Sequence, residues 1–187
     1  WNATNATTNI QAAIDSGDPL VVLDYHDTPW YTTPLYLRRA NQEIWFANGA
    51  HVMALAGSFH GIRDCLFTFQ ADNVTLNGYA NRVNTNGGIA TLEMRKYDYM
   101  DTNVYTFSEW RYLVRLVGTD NCTLKGLWLA RAGGDGIGVG GGSYNTLIQD
   151  VVCDDNYRQG LSIFSVNKLT VINSAFQNTQ GTAPKNG

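Results

Sequence analysis

The sequence has 187 residues, of which 44% are apolar, 16% are charged and 19 are glycine, and its net charge at pH 7 is −3. This composition excludes a disordered chain or a coiled coil and predicts one domain, residues 1–187, that is long enough to bury a core. The sequence has neither a basic surface for nucleic acid nor an apolar run of the roughly 20 residues that span a bilayer. We therefore expect no nucleic-acid partner and no membrane insertion.

The first residues predict a secreted or cell-surface protein. The chain opens at Trp1 without a methionine, as a mature product does after cleavage of a leader. Asn2 and Asn5 each begin an N-glycosylation sequon near the start of the chain, and both are candidate glycan acceptors. The sequons at Asn73 and Asn121 instead have the form of an asparagine turn followed by a strand.

A short helix is expected next, within a leader and capping segment of residues 1–18. Asn9 is its predicted N-cap and Gly17 its predicted stop, so that the helix covers residues 9–15. Short apolar runs bounded by Gly, Asn, Asp or Pro follow and predict strands at residues 20–23, 34–37, 43–46, 51–55, 66–69 and 74–76.

Residues 79–110 interrupt these runs and are predicted to form an inserted loop region. The region interleaves aromatic rings with charged side chains, a combination that suits stacking and hydrogen bonding to sugars. Insertions between regular repeats are a common place for functional loops.

The remaining segment, residues 111–187, repeats itself every 23 to 24 residues. Apolar residues alternate within each repeat, which is typical of strands with one buried face. Short repeats with several strands predict a solenoid in which each coil buries its inner face against the next. Two apolar columns carry the repeat: Leu124, Ile148 and Val171, and Leu129, Cys153 and Phe176.

The order of these segments from Asn9 onward resembles the pectate-lyase-like superfamily of right-handed β-helices. The resemblance is strongest from Gly133 through Ser162. It implies an all-β, right-handed parallel β-helix with a short N-terminal capping helix. The last repeat stops inside a coil, which predicts an open C-terminal end that further coils of a longer protein, or self-association, would cover.

Polar residues collect on one face of the predicted coils, at the turns. Residues in one column of successive coils lie about 4.8 Å apart, which places Asp135 next to Gln159 and Arg131 next to Asp155. Carboxylates beside arginines are candidates for a base, a nucleophile or a sugar ligand. Gly136 and Gly138 follow Asp135 and add little bulk around it, so we expect this carboxylate to be open to substrate. The predicted catalytic residues are Asp135, Asp155, Arg131 and Arg158, and the predicted substrate-binding residues are Trp110, Arg111, Tyr112, Asp154, Gln159, Lys96 and Tyr97.

Two reactions on an acidic polysaccharide fit these residues. Gly134-Asp135-Gly136 and Asp154-Asp155 resemble in part the acidic motifs of polygalacturonase-like enzymes, which implies glycoside hydrolysis. Elimination or epimerisation would instead use Arg131, Arg158, Lys96 and Tyr97 to remove a proton beside a uronate carboxylate. The alternative from another class is a non-catalytic glycan-binding or surface-assembly module.

No metal site and no cofactor are predicted, and the sequence leaves a need for calcium open. Cys122 and Cys153 fall on inward positions of the repeat, away from any Cys-x-x-Cys motif. We predict that both thiols are reduced and buried.

Overall fold

Parallel strands dominate the structure, a computed structural model that describes residues 2–79 and 89–181. The described residues also contain two helices, α1 (Thr7–Asp15) and α2 (Lys96–Tyr99). The strands in chain order are β1 (Leu20–Leu23), β2 (Trp30–Thr32), β3 (Leu35–Leu37), β4 (Glu43–Phe46), β5 (His51–Ala54), β6 (Phe67–Phe69), β7 (Thr75–Asn77), β8 (Ala90–Glu93), β9 (Val114–Val117), β10 (Thr123–Lys125), β11 (Leu127–Ala130), β12 (Ile137–Gln149), β13 (Val152–Asp154), β14 (Leu161–Ile172) and β15 (Ala175–Gln177).

The strands form two parallel sheets. The nine-stranded sheet runs β1-β4-β7-β10-β12-β9-β6-β3, with β14 added to β12, and the six-stranded sheet runs β15-β13-β11-β8-β5-β2. Alternating burial explains the strands: in β4, Ile44 and Phe46 are fully buried, whereas Glu43 and Trp45 face outward. The buried side chains of the described residues form a single apolar core between the sheets.

Asparagines in the left-handed conformation link successive repeats. Asn121 and Asn145 have φ of 54° and 55°, and the Asn145 amide donates to Asn121 Oδ1 at 2.8 Å. Asn73, with φ of 58°, occupies the equivalent turn one repeat earlier. Asparagine tolerates this conformation better than most residues. The turn interpretation of the sequons at Asn73 and Asn121 is thereby confirmed.

Helix α1 starts earlier than predicted, at Thr7 with Ala6 as N-cap, so the assignment of Asn9 as N-cap is wrong. Its end at Asp15 is correct, and Gly17 follows with φ of 81°. The helix buries Ile10 and Ile14, and the Gln11 amide both donates to and accepts from the Tyr36 backbone. These contacts fix the helix against β3.

The register of the predicted repeat is confirmed. Leu124 pairs with Ile148, and Ile148 pairs with Val171, all in parallel strands. In the six-stranded sheet Leu129 pairs with Cys153, which pairs with Phe176. All are buried except Val171 and Phe176, which belong to the last repeat of the described residues.

The prediction of an all-β, right-handed parallel β-helix is wrong. The strands form two parallel sheets of nine and six strands, the larger one curled into a half-barrel, and 8% of the described residues are helical, so the arrangement is α/β-like. The physical reason lies in β12 and β14. Gly141 and Gly142, with φ of 65° and 83°, let β12 bend without ending. Because β12 continues through this bend, strands that were expected to form separate stacks join in one sheet.

The predicted inserted region, residues 79–110, contains a regular strand. Strand β8 pairs with β5 and β11 inside the six-stranded sheet, while residues 80–88 lie outside the described residues. Strand β2 was not predicted. Cys65, Cys122 and Cys153 are all free and buried, which confirms the prediction for Cys122 and Cys153. Among the described residues, no helix has the length and apolar character needed to cross a membrane.

Candidate functional site

A groove of about 430 Å³ lies along the nine-stranded sheet, and three arginines line it. We call it the arginine groove. Arg115 projects from β9, Arg63 precedes β6, and Arg158 comes from the turn before β14. The other lining residues are aromatic, aliphatic or neutral polar: Trp110, Tyr112, Gln159, Ser162, Ile163 and Phe164.

Arg158 is held by a network beneath this groove. Its Nε and Nη2 donate to the two oxygens of Asp135 at 2.8 and 2.5 Å, and its Nη1 donates to Glu109 at 2.6 Å. The Ser162 hydroxyl is also within hydrogen-bonding distance of Asp135. Such paired hydrogen bonds fix the plane of a guanidinium. Hydrogen bonds to Asp135 raise the pKa of Arg158 above its usual range, so the guanidinium stays charged.

Tyr112 adds a protonated hydroxyl to the groove wall. Its side chain is largely buried, and burial raises its pKa to about 12, with the charge of Asp135 adding to the effect. At neutral pH this phenol can donate a proton or a hydrogen bond, but it does not act as a base.

Among the described residues, no carboxylate neutralises the charge of Arg63 or Arg115. Neither makes an ion pair within the described part of the chain; Arg63 lies over the Trp110 ring, 5.1 Å from its centroid. Trp110 is 44% exposed, a large fraction for a tryptophan. The groove therefore combines two unpaired cations with an accessible ring.

A second pocket, of about 440 Å³, lies on the outer face of the six-stranded sheet. We call it the sheet pocket. Its charged residues follow three neighbouring strands: Glu93 from β8, Arg131 after β11, and Asp154 and Asp155 at the end of β13. Ile89, Thr91, Trp128 and Ala130 complete its lining.

Ion pairs cross-link the sheet pocket. Arg131 Nη1 contacts Glu93 at 2.5 Å, and Arg131 Nε lies 3.8 Å from Asp155. The buried Lys96 ammonium donates to Asp155 at 2.6 Å, and the exposed Tyr97 hydroxyl donates to the same carboxylate at 2.8 Å. This bond to Asp155 raises the pKa of Tyr97, so the phenol stays protonated.

His51 completes the network at Glu93, with its Nε2 3.0 Å from the carboxylate. Burial by itself would raise the pKa of Glu93, but the bond to His51 and the charge of Arg131 outweigh burial and lower it. Glu93 is therefore ionised at neutral pH.

The structure divides the predicted site residues between two places. Arg158, Trp110, Tyr112 and Gln159 line the arginine groove, while Arg131, Asp154 and Asp155 line the sheet pocket with Lys96 and Tyr97 beside it. The strand register confirms the predicted columns of Arg131 with Asp155 and of Asp135 with Gln159. Ala130 pairs with Asp154 next to the first column, and Ile137 pairs with Leu161 near the second. The two groups sit at opposite ends of the turn between β11 and β12.

Two predicted residues have surroundings that sequence reasoning did not anticipate. Asp135 was expected to be open to substrate, but its side chain is fully buried under Arg158. Arg111 lies in neither pocket: it is 1% exposed, it donates to the backbone of Phe59 and Thr106, and it packs over Tyr99. Burial lowers the pKa of Arg111. Both side chains are buried in ways that favour structural roles.

Several lining residues were missed by the sequence. Arg115 occupies an outward position in the alternation of β9, and Trp128 does so in β11, so outward-facing large residues were the available signal. Glu93 joins the sheet pocket only through the pairing of β8 with distant strands, and Arg63 reaches the arginine groove from the loop before β6. Within residues 2–79 and 89–181, no group of three or more His, Cys, Asp or Glu side chains is arranged to hold a metal ion.

The fold has a counterpart among solved structures. No protein-family model matches the chain, and no curated protein matches its sequence. The structure of a candidate glycosyl hydrolase from Parabacteroides merdae ATCC 43184 superposes with a TM-score of 0.69, covering 91% of this chain and 78% of that chain at 15% identity. At this identity the likeness establishes a similar fold with parallel sheets, and it does not single out the pectate-lyase-like superfamily.

Proposed function

We propose that this protein is carbohydrate-active: it binds an acidic polysaccharide in the arginine groove and cleaves or modifies it. The observation that carries the proposal is the pair of arginines, Arg63 and Arg115, which make no ion pair among the described residues and lie beside the exposed ring of Trp110. An unpaired arginine binds a carboxylate or sulfate through two parallel hydrogen bonds. An exposed indole offers a flat apolar face to a sugar ring. The same groups would repel a cationic ligand.

The groups around the groove suit elimination or epimerisation better than hydrolysis. Both reactions need cations at the uronate carboxylate and a base for the adjacent proton. Elimination also needs an acid for the leaving oxygen, whereas epimerisation needs an acid that returns a proton to the opposite face of the same carbon. The arginines supply the cations, Glu109 is a carboxylate in contact with Arg158, and Tyr112 is a protonated acid. Hydrolysis needs two carboxyl groups facing the glycosidic bond. Within the described residues no carboxyl lines the groove itself; Glu109, which reaches it through Arg158, supplies one, and Asp135 is fully buried.

A specific observation favours a second candidate, binding without catalysis. Asp135 is fully buried, and both Asp135 and Glu109 are already bound to Arg158. A protein with this groove could hold a polysaccharide by its charges and its tryptophan alone, as a surface or assembly module does. The fold likeness to a candidate glycosyl hydrolase is compatible with either reading, since fold alone does not fix chemistry.

A polysaccharide screen separates these possibilities. The protein would be incubated with polygalacturonate, alginate and chondroitin sulfate while reducing ends and the absorbance of unsaturated products are followed. Elimination gives both signals, and hydrolysis gives reducing ends alone. An epimerase and a binding module both give a measurable affinity with neither signal, and uptake of deuterium from heavy water beside the uronate carboxylate identifies the epimerase. Absence of binding to every acidic polysaccharide in the set would contradict the proposal.

Two variants connect the screen to the groove. Trp110→Ala should weaken binding by about 1–3 kcal/mol because it removes the exposed ring. Glu109→Gln should lower the rate at least ~100-fold while binding persists, if Glu109 is the base.

Polysaccharides of this kind lie outside cells, so the proposal includes a secreted or cell-surface location, which fractionation of the source organism would test.

A further inference from the structure

The sheet pocket has a floor built by strand register. Thr91 of β8 and Val152 of β13 both pair with Trp128 of β11, so these three side chains form one outward row. Two residues further along, Glu93 and Asp154 both pair with Ala130. Side chains two apart on a strand point to the same face, so both rows face the pocket.

Ala130 creates the depression between the two acidic side chains. Its strand neighbours lie about 4.8 Å away on either side, and its methyl group leaves the space between Glu93 and Asp154 open. Trp128, half-buried in the next row, closes one end of this space with an aromatic ring. The result is a concave site with an apolar wall and hydrogen-bonding groups on opposite sides.

The polar groups keep acceptor capacity after their internal bonds are made. Both hydrogen bonds to Asp154, from Gln177 and Asn178, go to Oδ1, so Oδ2 is free to accept within the described residues. Glu93 accepts from Arg131 and lies 3.0 Å from His51 Nε2, whereas an ionised carboxylate has about four acceptor positions. Arg131 is 50% exposed and offers donors on the same rim.

The charge of the sheet pocket is opposite in character to that of the arginine groove. Its carboxylates are Glu93, Asp154 and Asp155, and its cations are Arg131 and Lys96, the latter only 1% exposed. Asp154 is the carboxylate with no cation partner in the described chain. An acidic sugar would meet like charge here, whereas the hydroxyl groups of a neutral sugar would find acceptors.

We infer that the sheet pocket is a second glycan site, and that it binds neutral pyranose residues. The sugar ring would stack on Trp128, while its hydroxyl groups donate to Asp154 and Glu93 and accept from Arg131. This site does not depend on the arginine groove and lies on the other sheet. The protein would thus bind glycans at two sites with opposite charge preference.

The test is calorimetric titration of the full chain with three neutral probes, cellohexaose, xylohexaose and mannohexaose. At least one should bind, and both Trp128→Ala and Asp154→Asn should weaken that binding about tenfold or more. Trp110→Ala, which changes a residue outside the sheet pocket, is the matched control and should leave the neutral affinity unchanged. Asp154→Asn keeps the side-chain shape, so it still reports if Trp128→Ala fails to fold.

Other outcomes would overturn the inference. It fails if none of the three neutral probes binds, or if their binding is lost in Trp110→Ala and kept in Trp128→Ala and Asp154→Asn. Acidic probes distinguish this failure from failure of the proposed function, because their binding should depend on Trp110 and not on Trp128. Binding of acidic probes that is lost in Trp128→Ala would likewise contradict the separation of the two sites.

Discussion

Arg158 illustrates how a buried carboxylate prepares a surface charge. Asp135 is fully buried and contacts the guanidinium through both oxygens, while Arg158 itself is 17% exposed at the groove. A fixed guanidinium loses little conformational entropy when a ligand binds. Asp135 is thus a positioning residue for Arg158. The sequence predicted a catalytic carboxylate that substrate can reach, and the burial of Asp135 does not fit that role.

Replacement of Asp135 by asparagine should therefore affect stability. Asp135→Asn leaves a largely buried guanidinium with Glu109 as its remaining carboxylate, and we expect a loss of roughly 2–4 kcal/mol in the free energy of unfolding. Denaturant titration measures it. Asp24→Asn, at an exposed aspartate, is the control and should change stability by less than about 0.5 kcal/mol. Equal stability of the two variants would show that the pair contributes nothing.

The contribution of Glu93 to the free energy of unfolding depends on pH. Its pKa in the folded protein is lower than in the unfolded chain, so the stability it contributes is present above the unfolded value of about 4.3 and is lost as the pH falls through the folded pKa. The stability gap between wild type and Glu93→Gln should be largest near pH 7 and should shrink below about pH 4. Unfolding free energies at several pH values test this, and a constant gap would contradict it.

At the scale of elements, asparagine turns join one repeat to the next. Asn145→Ala removes the bond to Asn121 and puts at φ of 55° a residue that tolerates the left-handed conformation less well than asparagine, so it should cost about 1–2 kcal/mol. Asn145→Gly removes the same bond without the backbone strain and should cost less. Thermal unfolding compares the two variants. If alanine is as stable as glycine at this position, strain does not shape the turn.

Turn chemistry and apolar alternation made most strands predictable, but not all of them. Strand β2, Trp30–Thr32, has only three residues and follows a proline, which is too short for alternation to be recognised. Strand β8 is defined by pairing with β5 and β11, about 40 residues away along the chain. Long-range pairing of this kind leaves little local signal.

Burial of the site was predictable only in part, for a reason visible at the glycines. Gly136 and Gly138, which follow Asp135, suggested an open carboxylate. In the structure the Gly160 backbone packs directly against Gly136, and the Tyr112 ring packs against Gly138. An absent side chain admits a neighbouring strand as readily as it admits solvent. The stacking of Arg131 on Asp155, in contrast, followed correctly from the repeat length alone.

At the scale of the whole molecule, the repeat predicted which strands pair but not how the columns join. A bend at Gly141 and Gly142 keeps β12 continuous, and that single feature merges strands into the nine-stranded sheet. Nothing in a 23 to 24 residue spacing distinguishes a bend within a strand from a break between two strands. The assembly into two sheets therefore had to come from the structure.

The shared core should also protect all three thiols. Cys65, Cys122 and Cys153 are buried, and burial raises the pKa of Cys65 to about 11 and raises those of the other two. A thiol reagent should label none of them in the native protein at pH 8 and three per chain after denaturation. Rapid labelling of Cys122 or Cys153 in the folded protein would contradict the packing of the repeat.

The central claim is that two unpaired arginines make the groove a site for acidic polysaccharide, and the dissociation constant of a polyuronate oligosaccharide tests it most directly. We expect Arg115→Ala to weaken binding about tenfold, or roughly 1.4 kcal/mol, because one charged contact is lost. Added salt should weaken the wild-type affinity by screening. Lys125→Ala, on β10, removes a charge outside the groove and should have no effect. Equal affinity of wild type and Arg115→Ala, or binding that is insensitive to salt, would contradict the account.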